Sequence, residues 1–136
     1  MIMKNVLATI TGFIVASLVV YLIEQLGWNF FPLPDSIDPM DAESLKQNID
    51  LIPKGSMIFV IIAHAIGAFS GMTLAGFISK KSLIPSYIVG GLMILATIVN
   101  LVMIPSPIWF IVLDLLGVIL AFFLARNLVQ SKFIKK

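Results

Sequence analysis

Cysteine is absent from all 136 residues, which excludes disulfides, thiolate metal sites and thiol redox chemistry. Charge is scarce as well. Asp, Glu, Lys and Arg make up 12% of the chain, against 60% hydrophobic residues and a mean hydropathy of +1.08. So little polar material cannot cover a soluble domain of this length, and a lipid bilayer is the solvent that suits the composition. There is one histidine. A zinc site needs three or more good ligands, and too few are present. No HExxH, Gly-x-Ser-x-Gly or phosphate-binding loop occurs. The net charge of +2 is small and its basic residues flank apolar runs, so neither a nucleic-acid partner nor a cofactor is implied.

What is abundant is long apolar runs. Four have the ~20 residues needed to cross the hydrocarbon core: Val6 to Leu26, Met57 to Ile78, Leu83 to Ile104 and Ile108 to Leu128. The first lacks a small-x-small cleavage site after it, so it is expected as a retained anchor. The expected fold is all-α, an up-down four-helix membrane bundle forming one domain over residues 1–136. The turns Ser79 to Ser82 and Pro105-Ser106-Pro107 are too short for anything but antiparallel neighbours. Ser106 reads as an N-cap with Pro107 at the first helical position.

An even number of spans puts both termini on one side. That side carries Lys4, Lys80, Lys81, Arg126, Lys132, Lys135 and Lys136, and the other only Lys46 and Lys54. The bias predicts cytoplasmic termini. Trp28, Phe30, Phe31 and Trp109 then fall at the outer interface, as an aromatic belt does. In the outer loop, residues 27–56, Asp38 reads as an N-cap with Pro39 next, and Leu45, Ile49 and Ile52 follow at helical spacing. The pattern predicts a short amphipathic helix from Pro39 to Leu51.

Small residues recur every four positions. Span two carries Ala63, Gly67, Gly71 and Ala75, span four carries Gly117, Ala121 and Ala125, and span one carries Ala8, Gly12 and Ala16. Such ridges let helix backbones approach closely where no hydrophobic drive exists. Spans two and four also align at an offset of fifty residues: Ser56 with Ser106, His64 with Asp114, Gly67 with Gly117. This suggests a weak 2+2 parallel repeat. His64 and Asp114 each lie eight residues past their serine, roughly 12 Å below it at 1.5 Å per residue.

Asp114 is the most telling residue, because a carboxylate inside an apolar span costs roughly 2.5–3.5 kcal/mol on insertion scales. His64, at the same depth, is its expected partner. Asn100 and Glu24 are the other strong polar groups of the outer half. These four are either interhelical glue, each bond worth about 0.5–2 kcal/mol, or the lining of an outward-facing site for a proton, ion or small ligand.

Enzymatic readings fail on spacing. Gly67-Ala68-Phe69-Ser70-Gly71 is one residue out of the rhomboid Gly-x-Ser-Gly pattern. His64 and Ser70 would lie about 120° apart on one helix, so neither activates the other. Small multidrug-resistance transporters carry an essential glutamate in the middle of span one. Here that stretch, Phe13 to Val20, has no acid, and Glu24 is too near the interface. The chain instead resembles a group of small bacterial four-span integral membrane proteins. The resemblance rests on Asp38-Pro39-x-Asp41, on Ala63-His64-Ala65-x-Gly67-Ala68-x-x-Gly71, and on Asn100-Leu101-x-x-Ile104-Pro105-x-Pro107-x-Trp109-Phe110. It implies a bacterial inner membrane and carries no activity over.

The leading expectation is a non-enzymatic scaffold or accessory subunit in the bilayer, its small faces packing within the bundle, on a second copy or on another membrane protein. The alternative is a small proton- or ligand-coupled transporter using the outer-half cluster. A third is a sensor whose outer-loop helix binds something extracellular.

Overall fold

The computed structural model describes residues 1–134. Lys135 and Lys136, counted above for orientation, lie outside them. The described residues are all-helical: α1 Ile2–Phe30, α2 Ala42–Gln47, a 3-10 turn Ile49–Leu51, α3 Lys54–Ser79, α4 Ile84–Met103 and α5 Ile108–Ile134. The helices α1, α3, α4 and α5 are long and apolar enough to cross a membrane.

Local chemistry sets the ends. α1 runs past its expected limit and stops where Phe31 leaves the helical region, φ −130° and ψ 77°, ahead of Pro32 and Pro34. α3 starts after Pro53 and ends at Lys80, which adopts a left-handed φ of 62° and donates its N–H to the Gly76 carbonyl. Lys80 takes the place where glycine is usual. Two cap expectations are corrected. The Ser106 hydroxyl donates back to the Ile104 carbonyl at 3.1 Å. The first turn of α5 closes instead on the Pro107 carbonyl, which accepts from Phe110 and Ile111.

The outer-loop helix is also shorter than expected. Asp38 Oδ1 accepts from the Met40 N–H at 2.9 Å, which makes residues 38–40 a turn. Asp41 is the cap, accepting from Glu43 N–H at 3.1 Å. The helix breaks at Asn48, whose side chain donates to the Ser44 carbonyl. Asn and Asp side chains compete with helical backbone bonds in this way.

α3 is the hub. It packs most extensively against α1, then α5, then α4, and α4 also meets α1 and α5. α1 and α5 therefore flank the α3–α4 pair from opposite sides. Gly12 meets Gly71 while Gly27 meets Phe59, so α1 and α3 run antiparallel; Gly76 meets Val129 while Gly117 meets Ala65, so α3 and α5 run parallel. The α1–α3 seam is the tightest. A Cβ on Gly71 would lie 2.5 Å from the Gly12 carbonyl oxygen and 2.6 Å from Ala16 Cβ. Only glycine permits that backbone approach. Met72, Val89, Val118, Ala121 and Ala125 fill the centre. His64 and Asp114, fifty residues apart, meet between α3 and α5, whereas Gly117 lies against Ile61 and Ala65 rather than Gly67. The α1–α3 pair packs far more closely than α4–α5, so the two halves are not packed alike.

Candidate functional site

The α1–α3 seam positions the first acid. Ala16 and Val20 lie over Gly67, and Glu24 follows Val20 by one turn on the same face of α1. This aims Glu24 at α3 one turn nearer the outer loop, where His64 projects. On the opposite flank α5 passes Ile61 and Ala65 of α3 at Gly117, where an added Cβ would make ordinary contacts of 3.6 and 3.8 Å. That contact holds α5 close enough for Asp114 to reach the same imidazole.

The result is one ring between two carboxyl groups. His64 Nδ1 is 2.7 Å from Asp114 Oδ1, and Nε2 is 3.8 Å from Glu24 Oε1. The first separation is a short hydrogen bond, of the length that charge-assisted pairs have. With Asp114 ionised, Nδ1–H is the donor, because a carboxylate only accepts. The second is too long for a hydrogen bond but close enough for charges to interact. An imidazole has nitrogens on two sides, so a histidine on the central helix can serve the helices that flank it on either side.

The two acids differ in access. Asp114 is 0% exposed, and its Oδ2 has no partner among the described residues. The Glu24 side chain is 23% exposed. It opens on a cleft of about 370 Å³ between α1 and α4, walled by Phe13, Tyr21, Trp28, His64 and Met93 and roofed by Pro39 and Met40 of the outer loop. A second chamber of about 170 Å³ lies beneath that loop and shares Glu24, Trp28 and Pro39 with the first. Among the described residues no lysine or arginine lines either one.

Asn100 lines the second chamber with Glu24, and among the described residues its side chain bonds to none of the three. Ser56 and Ser106, the serines that start the fifty-residue alignment, line the same chamber. The small ridges are occupied inside the chain. Ala63, Gly67, Gly71 and Ala75 are buried on α3, Ala121 and Ala125 are buried on α5, and Gly117 is half-buried. Among the described residues no group of His, Asp and Glu is arranged to hold a metal ion.

Sequence reasoning paired His64 with Asp114 but did not place Glu24 on the other ring nitrogen. The signal was present, since Glu24 continues the line Ala8, Gly12, Ala16 two steps on. Nothing in the sequence marked Tyr21, Trp28, Pro39 and Met40 as walls of one cleft. No family model matches the chain, and neither a curated protein nor a solved structure is significantly similar to it.

Chemically, the arrangement suits proton exchange. Asp114 anchors Nδ1, and Nε2 and Glu24 are left to gain or lose a proton on the side that opens to the cleft.

Proposed function

We propose that this chain is a multi-pass protein of the bacterial cytoplasmic membrane, an up-down bundle with cytoplasmic termini, that takes up and releases a proton in its outer half through Glu24, His64 and Asp114. The supporting observation is the imidazole of His64 held between two acids from separate helices, one sealed and one facing a cleft. Energetics favour a functional role over glue. Inserting Asp114 costs roughly 2.5–3.5 kcal/mol, whereas an interhelical hydrogen bond in lipid returns about 0.6–2 kcal/mol. The bond does not offset the acid, so stability alone does not account for it.

Among the described residues the inner half of the helices holds no acid or histidine, its buried polar atoms without a partner being Thr73 Oγ1, Ser86 Oγ and Arg126 Nε, and this favours exchange with the outer side. That suits a binding or coupling step rather than a conducting pore. The scaffold reading drew on small ridges exceeding what one helix pair needs. Those ridges are covered within the chain, and no other observation favours that reading.

The test uses purified protein in lipid nanodiscs under weak buffering, with small acid pulses followed by a pH dye. Wild type should take up about one proton per chain more than Glu24→Gln or His64→Ala. Equal uptake by all three, with helical content unchanged, would sink the proposal.

A further inference from the structure

Building on that proton site, we propose that the cleft between α1 and α4 binds a small organic monocation with an apolar body, with Glu24 as its counter-ion. Charge comes first. With His64 fully protonated and both acids ionised, the cluster carries one negative charge in excess, and among the described residues no lysine or arginine lines either cavity. From α3 Glu24 meets His64, with Asp114 of α5 behind it. The polar groups that α4 offers are the uncharged Thr97 and Asn100, the outer loop lines the two cavities with apolar side chains, Pro39 and Met40 among them, and α1 itself adds Ser17 and Tyr21. The missing charge is supplied either by a proton on Glu24 or by a bound cation.

The walls decide which cation. Phe13, Tyr21 and Trp28 line the cleft, and aromatic rings are the natural partners of a poorly hydrated organic cation. Met40 and Met93 add soft apolar surface. A hard metal ion would want six or more oxygen ligands, which this lining does not supply. The cleft, about 370 Å³, falls in the range of small-ligand sites. Its mouth lies on the outer surface of the helices, where Phe13 is 38% and Tyr21 48% exposed. An amphiphilic cation therefore reaches Glu24 from the apolar surroundings. Cation and proton compete for one carboxylate, so binding expels the proton through the cleft.

The probe is benzyltrimethylammonium, compared with its uncharged carbon isostere neopentylbenzene. Trp28 reports binding by fluorescence in a Trp109→Phe background, since the chain has only two tryptophans. The expected result is saturable quenching by the cation alone, proton release on binding, weaker binding at lower pH, and a loss of at least tenfold in affinity in Glu24→Gln. Equal binding of the neutral isostere, or undiminished binding in Glu24→Gln, overturns the inference. So does an absence of cation binding while acid-pulse uptake remains normal, and in that case the proton site itself stands. Loss of both cation binding and proton uptake in wild type overturns both.

Discussion

Replacing Gly71 with alanine should force α1 and α3 apart. The new Cβ would lie 2.5 Å from the Gly12 carbonyl oxygen, 2.6 Å from Ala16 Cβ and 3.1 Å from Val89 Cγ1. Comfortable carbon–oxygen and carbon–carbon contacts are about 3.3–3.6 Å and 3.5–4.0 Å. Two of the three neighbours are backbone or a stub with no rotamer, so the helices must withdraw by close to 1 Å. A gap of 0.5–1 Å forfeits about a quarter to a half of each dispersion contact, at about 0.1–0.2 kcal/mol per atom pair. Over a seam running from Ala8 to Ala16 against Gly67 to Ala75, the loss is about 1–3 kcal/mol, the usual range for overpacking. Gly91 is the control, because a Cβ there meets nothing within 4 Å. Gly91→Ala should be neutral or gain up to about 1 kcal/mol from helix propensity. Reversible unfolding in mixed micelles against SDS fraction, followed by circular dichroism, measures both. Gly12→Ala pushes on the same contact, so the double variant should lose less than the sum of the singles. If Gly71→Ala proves as stable as Gly91→Ala, the close approach of α1 and α3 is refuted.

Asp114→Leu should lose no more than about 2 kcal/mol in the same assay, the upper range of an interhelical bond in lipid, while abolishing the proton exchange that His64 supports. A larger loss would assign the His64–Asp114 pair to structure. Lys80→Gly should stabilise by about 1 kcal/mol, because the left-handed φ of 62° costs any residue with a Cβ. No gain would mean that this turn relaxes without strain.

The four long helices were legible because apolar runs of membrane length have few other uses. The His64–Asp114 pair was legible because equal depth and a fifty-residue register are properties of sequence. The place of α1 was not, since the long loop 27–56 leaves its neighbour open. The ridge on α3 called for a close partner without saying that Gly12 and Ala16 supply it. Glu24 depended on that placement. Asp38, Pro39 and Asp41 form a start signal that fits two registers, and the choice went to Asp41 because the Asp38 side chain bonds to the Met40 N–H. The cleft depends in turn on where that turn puts Pro39 and Met40 over α1 and α4.

His64 is the only histidine in the chain, so nitrogen NMR of protein labelled with 15N-histidine reads the centre of the site alone. The account predicts a single imidazole whose Nδ1 keeps its proton, bonded to Asp114, while Nε2 is the nitrogen that exchanges one and whose signal Glu24→Gln alters. Asp114→Asn should release the Nδ1 constraint and change the tautomer balance. An imidazole whose Nε2 exchanges no proton, or one whose signal Glu24→Gln leaves unmoved, would contradict the claim that these three residues form one proton-exchanging unit.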